Sequence, residues 1–373
     1  MNVPSQGPGE RNGPLAGIRV LEFEGIGPVP YAGMLLADLG ADVLKIARPA
    51  VPSRGPLIAD QGEAVLDRGK RVVTLDLKSV TGLDTARALA AEADGLLEGL
   101  RPGVMERLGL GPGPLRACNP RLVYVRVTGW GQDGPLSQTA GHDINYIALA
   151  GALGLIGQAD CPPPPPANLV GDFGGGGLIA ALGLLAGVIQ AGRSGQGAVV
   201  DSAMIDGTAS QMALIFAWYA AGLWQDRRES NLLDGAAPFY RCYRCACGGH
   251  VAVGAIEPAF FADLMAGLGL EGEAWDQADR SRWPDLAARI AGCFATRSRD
   301  AWAAHFAGTD ACVTPVLGLA EVADHPHIVA RQASGLVPPA PRFPGSAPGT
   351  EADRLDAQEA LARWQRPRAA AGQ

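Results

Sequence analysis

The sequence has no excess of basic residues and no apolar amino-terminal segment. It contains 31 lysines and arginines against 38 aspartates and glutamates, which gives a net charge of −7 at neutral pH. Nucleic-acid-binding domains carry basic surfaces, so this balance argues against a nucleic-acid partner. Residues 1–17, MNVPSQGPGERNGPLAG, are polar and rich in proline and glycine, unlike a secretory or transit peptide. We therefore expect a soluble protein of the cytoplasm.

Cysteine is scarce and does not form a recognisable framework. The chain has 7 cysteines, and without a secretion signal we expect them to be reduced thiols rather than disulfides. Cys242, Cys245 and Cys247 form the cluster CYRCAC. A structural zinc site needs four ligands, and no second pair of closely spaced cysteines completes this cluster. We predict no metal site.

Long apolar runs are also missing. The most apolar segment, FGGGGLIAALGLLAGVI at 173–189, is short for a membrane span and rich in glycine. We expect a buried helix there and no association with a membrane. Because 47% of the 373 residues are hydrophobic, the chain can bury large cores, and its length favours two domains.

The first part of the chain alternates period-2 apolar segments with segments of helical spacing. This βαβ alternation predicts a large Rossmann-like α/β domain with a mostly parallel sheet. The predicted strands are IRVLEF (18–23), ADVLKIA (41–47), RVVTLDL (71–77), GLLEG (95–99) and RLVYVRVTGW (121–130). The predicted helices in and after this region are 30–40, 79–94, 177–192 and 203–224.

Parallel sheets bind ligands at the carboxyl ends of their strands, which directs attention to the loops after Ile46, Leu77 and Val127. The loop after the first strand, EGIGPVP (24–30), lacks the G-x-G-x-x-G pattern. Its prolines also remove backbone N–H groups that a phosphate would need. The sequence therefore argues against a nicotinamide dinucleotide.

A smaller α+β domain is predicted after the connector RRESNLLDGAAP at 227–238. Two β-like runs within 239–255, joined by a Cys-Gly-Gly turn, indicate a hairpin at its start. We expect residues 1–226, completed by residues 337–373, to form the large domain. Residues 227–336 would form the small domain with its connectors.

Four ionisable residues stand next to unusual backbone segments. His142 and Asp143 adjoin in GHDINY, Asp172 precedes four glycines in GDFGGGG, and Glu257 precedes a proline in VGAIEP. An imidazole beside carboxylates suits general acid–base chemistry, and a helix start after Asp172 would expose amides to an oxyanion. Structural alternatives stay open: a structural histidine, an Asp172 that caps a helix, and a Glu257 that begins one.

A series of motifs runs along nearly the whole chain in a fixed order. They are PLAGIRVLE (14), LADLGADVLKI (36), VVTLDLK (72), LEGLRPGVMERLGLG (97), VTGWGQDGP (127), GHDINYIALAG (141), NLVGDFGGGG (168), GQGAVVDSAMIDG (195), VAVGAIEPAFF (251) and CVTPVL (312). Together they resemble the alpha-methylacyl-CoA racemases of the family III CoA-transferase superfamily. The resemblance implies that superfamily's large parallel-sheet domain, its smaller domain and an interlocked homodimer.

The resemblance also implies a reaction and its residues. The α-proton of a 2-methylacyl-CoA thioester is removed on one face and returned on the other through an enolate. His142 matches the imidazole base and Asp172 the carboxylate base. Glu257 matches an acidic residue that supports the histidine, across subunits in the interlocked dimer, and Asp143 lies beside the histidine. No cofactor is implied, since CoA is part of the substrate.

The CoA nucleotide is expected at the carboxyl edge of the sheet, where several cations follow predicted strands. Arg48 and Arg107 match the family positions that contact phosphates. For each of the others, a solvated charge on the surface is as good an explanation as a phosphate contact. The candidate cations are Arg48, Arg68, Lys70, Lys78, Arg101 and Arg107.

Two other functions compete with racemisation. A family III CoA-transferase would use Asp172 as a nucleophile that attacks the thioester, and a catalytically silent CoA-binding protein would need none of these groups. Asp172 serves either reaction, so it does not discriminate between them. His142 and Glu257 favour the racemase, because proton transfer on two faces needs a second base.

Overall fold

The computed structural model describes residues 13–49, 63–331, 337–344 and 349–365. By contacts between Cα atoms the chain divides into two compact units. The large unit consists of the described residues within 1–150, 166–211 and 332–373, and the small unit consists of residues 151–165 and 212–331. The domain limits predicted at 226 and 336 stay a prediction.

Within the described residues the strands are short, and the first five are mainly buried. They are β1 (Arg19–Phe23), β2 (Asp42–Ala47), β3 (Arg71–Thr74), β4 (Gly95–Glu98), β5 (Val123–Thr128), β6 (Val199–Ala203), β7 (Tyr240–Arg244), β8 (His250–Gly254), β9 (Val313–Pro315) and β10 (Asp353–Leu355).

The described helices are α1 (Pro28–Asp38), α2 (Glu63–Leu66), α3 (Val80–Ala91), α4 (Val104–Arg107), α5 (Pro112–Cys118), α6 (Asp143–Leu149), α7 (Ile179–Ser194), α8 (Met204–Gln211), α9 (Ala213–Ala220), α10 (Pro258–Gly267), α11 (Trp283–Phe294), α12 (Arg299–Phe306), α13 (Leu319–Val322), α14 (Pro326–Arg331) and α15 (Ala357–Gln365). A π-helical segment, Leu169–Leu178, leads directly into α7. Single 3₁₀ turns occur at Leu153–Leu155 and Arg280–Arg282.

The large unit is built on a seven-stranded sheet in the order β10-β3-β2-β1-β4-β5-β6. Every neighbouring pair in it is parallel. β2 and β3 extend the sheet on one side of β1, and the chain then returns from β3 to form β4 on the other side, so the strand order reverses at a crossing point between β1 and β4. A doubly wound sheet opens a crevice at such a crossing point, outside the carboxyl ends of the two strands. The predicted Rossmann-like sheet is confirmed.

Helices cover both faces of this sheet, as the buried strands require. Alternation along β1 sends Leu21 to one face and Val20 to the other. The Leu21 face packs with Tyr124 and with Trp364 of α15. The Val20 face packs with Leu184 of α7. Each face therefore has its own apolar core.

The small unit contains a three-stranded antiparallel sheet in the order β7-β8-β9. The predicted hairpin at 239–255 is confirmed, because β7 and β8 pair in antiparallel register from Tyr240–Gly254 to Arg244–His250. Its core is rich in aromatic side chains, including Phe239, Trp283, Phe294 and Trp302.

Several elements differ from the sequence prediction. β6, β9 and β10 were not predicted, and the helix predicted at 203–224 is two helices, α8 and α9, separated at Met212. The Met212 backbone (φ −80°, ψ 0°) departs from regular helix at the residue where the chain passes from the large unit to the small one. A hydrophobic pattern does not report such a local change of ψ.

The apolar segment near residue 180 is longer and less buried than predicted. The π-helical segment and α7 form one helix of 26 residues, Leu169–Ser194, with a mean hydropathy of 1.7 in its most apolar window. Among the described residues, this helix is long and apolar enough to cross a membrane by length and composition alone. Leu184 is fully buried, but Leu182 is 62% exposed. The predicted buried helix is therefore correct for one face only.

Candidate active site

A cavity of about 320 Å³ opens at the carboxyl edge of the large sheet. Its walls come from the loops that follow β1, β4 and β5, and from α6 and the π-helical segment. It therefore lies at the crossing point between β1 and β4. The wall residues used below are Leu100, Arg101, His142, Tyr146 and Asp172.

His142 begins α6 and also faces this cavity. It is the N-cap residue, and its backbone N–H donates to Oδ1 of Asn145 at 3.0 Å. The cap therefore uses the main chain of His142 and the side chain of Asn145. The imidazole is left exposed in the cavity wall, so the residue can begin a helix and serve as a base.

Asp143 is a buried support rather than part of the cavity wall. It is 6% exposed, and its Oδ1 accepts the backbone N–H of Asp172 at 2.7 Å. A Cβ added to Gly171 would lie 2.6 Å from that oxygen. Glycine at 171 therefore permits the approach by which Asp143 fixes the main chain beside Asp172.

Asp172 lies in the first turn of the π-helical segment, whose N-cap is Asn168. The prediction that Asp172 could cap a helix starting after it is therefore wrong. The amides of Asp172 and Phe173 are also not free for an oxyanion. The Asp172 amide donates to Asp143, and the Phe173 amide donates to the carbonyl of Asn168 at 3.3 Å.

The Asp172 carboxylate is half-buried and faces the cavity. Desolvation by burial raises its pKa above the ordinary aspartate value. Asp143 adds to the rise, whereas the amide of Asn168 and the imidazole of His142 oppose it. The Asn168 contact is a hydrogen bond of 3.3 Å from Nδ2 to Oδ2. The site therefore holds a carboxyl group whose proton affinity is shifted towards that of an imidazole.

The glycines after Asp172 allow close packing of helices. A Cβ at Gly176 would lie 2.8 Å from side-chain atoms of both Pro28 in α1 and Met204 in α8. The sequence indicated that something approaches this backbone closely, and in the structure the neighbours are these two helices. The glycine run thus positions Asp172 through packing.

Two residues of the site were assigned no role from the sequence. Tyr146 lines the cavity, packs edge-on against Trp130 with ring centroids 4.8 Å apart, and donates to the carbonyl of Gly141. Asn168 donates to Asp172. Both lie inside the motifs GHDINY and NLVGD, and position alone could not show which motif residues face inward.

A second cavity, of about 520 Å³, lies at the same edge of the sheet. Its wall includes Arg48 after β2 and Lys78 after β3. Glu24 accepts hydrogen bonds from the Arg48 amide at 2.7 Å and from its Nε at 3.2 Å. Leu100 belongs to the walls of both cavities, so the two are adjacent.

Of the other predicted cations, two lie near the cavities and two are buried away from them. Arg101 lines the first cavity, and Arg107 ends α4, which contributes Val104 to the second. Arg68 and Lys70 are buried, at 7% and 1% exposed. Arg68 pairs with Asp38 at 2.5 Å, and Lys70 pairs with Glu22 at 2.7 Å.

These two buried pairs have an energetic consequence for ligand binding. Withdrawing one partner from a buried ion pair leaves an uncompensated charge and costs about 3–5 kcal/mol. A phosphate at the rim would have to offset that cost before Arg68 or Lys70 could reach it. We therefore assign both residues to holding β1, α1 and the start of β3 together.

Glu257 belongs to the small unit. It is exposed and is the N-cap residue of α10, with Pro258 as the first helical residue. Within one chain, the structure thus groups His142, Asp143 and Asp172 in the large unit and places Glu257 in the small unit.

This doubly wound sheet, with an imidazole and a carboxyl group in one cavity at its crossing point, has the site of an enzyme that uses acid–base groups. Residues 15–369 match CoA-transferase family III, and the chain belongs to that family. It is 46% identical over 314 residues to the alpha-methylacyl-CoA racemase of Mus musculus and 45% identical to that of Homo sapiens. Each match covers 84% of this chain and 80% of the relative.

A solved structure supports the fold assignment. The crystal structure of a CAIB/BAIF family protein from Brucella suis is similar, with a TM-score of 0.78 and 27% sequence identity. The similarity covers 95% of this chain and 99% of that protein.

The contacts of Asp172 predict opposite effects for two substitutions. Asn168→Ala removes a hydrogen-bond donor to the carboxylate and should raise the pKa of Asp172 further. Asp143→Asn removes a neighbouring negative charge and should lower it. A ¹³C titration of aspartate carboxyls, with Asp172 identified by its loss in Asp172→Asn, measures both shifts.

The exposed Asp133 provides a matched control, since Asp133→Asn removes a charge outside this cluster. It should leave the Asp172 titration unchanged. Shifts of the same sign in Asn168→Ala and Asp143→Asn would show that the contacts do not set the pKa of Asp172.

Proposed function

We propose that this protein is an alpha-methylacyl-CoA racemase, which interconverts (2R)- and (2S)-2-methylacyl-CoA thioesters. The observation that carries the proposal is the single cavity wall shared by His142 and Asp172. Racemisation by transfer of one proton needs two acid–base groups around one carbon, and this cavity supplies an imidazole and a carboxyl group. The identity with curated racemases supports the same activity.

The reaction conserves atoms and charge. One group, as a base, takes the α-proton, and the C–H electron pair moves into a planar enolate of the thioester. The other group, as an acid, returns a proton to the opposite face. His142 and Asp172 exchange these roles for the two enantiomers. Proton transfer of this kind requires no metal, nicotinamide or flavin, and none is part of the proposal.

The raised pKa of Asp172 suits this exchange of roles. A carboxyl group with the ordinary aspartate pKa is almost never protonated at neutral pH and is a poor match for an imidazole. Burial raises the pKa of Asp172 and so moves its proton affinity towards that of an imidazole, which suits a group that must both donate and accept a proton. Asp143 acts through the Asp172 amide as a positioning residue.

We place the nucleotide of CoA in the second cavity, with Arg48 and Lys78 as phosphate-contacting cations. Arg101 in the first cavity and Arg107 at the end of α4 extend the positive charge between the cavities. The shared wall at Leu100 would lead the pantetheine arm from one cavity to the other. Supporting His142 remains the proposed role of Glu257.

CoA transfer between carboxylic acids is the second candidate. It is favoured by one observation, the half-buried Asp172 carboxylate that faces the cavity and could attack a thioester. His142 would then have no required part in the chemistry, and we rank this function below racemisation.

An isotope experiment separates the two functions. The purified protein is incubated in heavy water with (2R)- or (2S)-2-methylacyl-CoA and no acceptor acid. We expect deuterium at the α-carbon together with inversion of configuration, since the proton passes through groups that exchange with solvent. CoA transfer to an added carboxylic acid, without α-exchange in its absence, would contradict the racemase proposal.

We also propose that the protein acts as a homodimer in the cytoplasm rather than at a membrane. The helix Leu169–Ser194 has an exposed apolar face, on which Leu178, Leu182 and Ile189 are all at least half exposed. Such a face is typical of a protein–protein interface, and we propose that a second copy of this chain packs on it. A membrane would cover the same face, so composition alone does not choose between them.

Light scattering without detergent tests this assembly. We expect a mass of about twice the 38.5 kDa chain, and Leu182→Asp should shift the mass towards one chain because it buries a charge in the interface. Leu319→Asp, at a residue 92% exposed in the small unit, is the control and should leave the dimer unchanged. A single-chain mass for the unmodified protein, or solubility only in detergent, would contradict the proposal.

A further inference from the structure

The segment between β4 and α4 separates the two cavities. Gly99, Leu100, Arg101 and Pro102 line the first cavity, and Leu100 also lines the second. Val104, in the first turn of α4, continues the second wall. A ligand that occupies both cavities must therefore pass along this segment, and the position of its backbone controls the passage.

A fully buried carboxylate, that of Glu98, accepts a hydrogen bond from this segment. Glu98, the last residue of β4, is 0% exposed, and its Oε2 accepts the Leu100 N–H at 2.7 Å. Its Oε1 accepts from Nε of Arg126 at 3.3 Å. Arg126 stands opposite Glu98 in the parallel register of β4 and β5. The carboxylate thus joins the sheet to the Leu100 amide of the segment.

The same guanidinium also reaches α4. Arg126 Nη1 pairs with Glu106 at 2.9 Å, and the Glu106 side chain is 44% exposed. Two consecutive ion pairs therefore link the buried sheet to the helix that follows the segment, from Glu98 through Arg126 to Glu106. Both ends of the segment are fixed through one arginine.

We infer that Glu98 is a positioning residue for the CoA thioester, which in its ionised form holds the segment 99–102 between the nucleotide cavity and the acyl cavity. The inference rests on the proposed binding of an acyl-CoA across both cavities. Glu98 touches neither cavity, so it acts through Leu100 and Arg101 rather than on the substrate itself.

The groups that face Glu98 come from β5 and α4. They are Arg126 and Tyr124, which share one face of β5, and Glu106. The Tyr124 hydroxyl donates to the carbonyl of Leu110 at 3.0 Å. On the next strand, Asp201 lies opposite Arg126 and accepts the Gln132 N–H at 3.0 Å.

Burial raises the pKa of Glu98 to about 7, against the opposing effects of Leu100 and Arg126. Glu98 is therefore ionised above about pH 7 and protonated below it. Protonation removes the charge that holds Arg126 and weakens the acceptor for the Leu100 amide. At about pH 6 roughly one tenth of the molecules keep the ionised form, so affinity for a ligand that needs it should fall about tenfold.

Calorimetric titration with dephospho-CoA between about pH 6 and pH 8.5 tests the inference. This probe lacks the 3′-phosphate, whose own titration near pH 6 would interfere. The unmodified protein should bind about tenfold more weakly at the acidic end. Glu98→Gln should bind about tenfold more weakly at the basic end and lose this pH dependence. Any contribution from His142 is common to both proteins.

Two further variants sharpen the comparison. Glu106→Gln keeps the Glu98 contacts but removes a negative charge that raises the pKa of Glu98, so the fall in affinity should move to lower pH. Glu271→Gln, at an exposed residue of the small unit, should match the unmodified protein. Should Glu98→Gln fail to fold, the inference is tested by the direction in which Glu106→Gln shifts the pH dependence of binding.

Parallel binding curves for the unmodified protein and Glu98→Gln would overturn the inference, and so would an unshifted Glu106→Gln curve. Binding is measured without turnover. Absence of α-proton exchange would therefore count against the proposed function, whereas the binding curves judge the role of Glu98.

Discussion

The hydrogen bond from the Asp172 amide to the buried Asp143 carboxylate connects the two halves of the site. Asp143 is the first residue of α6, directly after His142, and Asp172 lies in the π-helical segment. This one contact of 2.7 Å therefore fixes α6, whose N-cap is His142, against the π-helical segment that carries Asp172. It depends on Gly171, where any side chain would collide with the Asp143 oxygen.

The π-helical backbone around Asp172 has a cost and a consequence. π-Helical turns are rare because they depart from the ordinary hydrogen-bond pattern of an α-helix. Where they occur, they are frequently at functional sites. Here the glycine-rich turns pack against Pro28 of α1 and Met204 of α8. Close packing on two sides holds Asp172 half-buried, and that burial raises its pKa. Packing of the large unit thus sets the acid–base property on which the proposed chemistry depends.

Much of the large sheet could be predicted from the sequence, because its central strands are buried on both faces. All residues of RVLEF in β1 and VYVRVT in β5 are buried, and such runs interrupted by helical spacing are typical of parallel sheets. β6 was missed because this edge strand, VVDSA, is short, includes Asp201 and Ser202, and is only partly buried, so it lacks a continuous apolar run. β10, with the residues Asp353, Arg354 and Leu355, pairs with β3 far back in the chain, and no local pattern announces that pairing.

The site was predictable at the level of motifs and less so at the level of contacts. GHDINY and NLVGD identified His142, Asp143 and Asp172, but the hydrogen bond from the Asp172 amide to Asp143 joins residues 29 apart in sequence, which no local pattern predicts. Arg68 and Lys70 show the same limit. As isolated cations they were candidates for phosphate binding, yet Asp38 and Glu22, 30 and 48 residues away in sequence, neutralise them in the interior.

The most direct test of the account is to resolve deuterium exchange by enantiomer in two near-isosteric variants, His142→Gln and Asp172→Asn. Each is incubated in heavy water with (2R)- and with (2S)-2-methylacyl-CoA. If the two groups serve opposite faces of the α-carbon, both variants lose racemisation, and each retains exchange of a different enantiomer. Loss of exchange for the same enantiomer in both variants, or normal racemisation by either one, would contradict the assignment of His142 and Asp172 as the two bases.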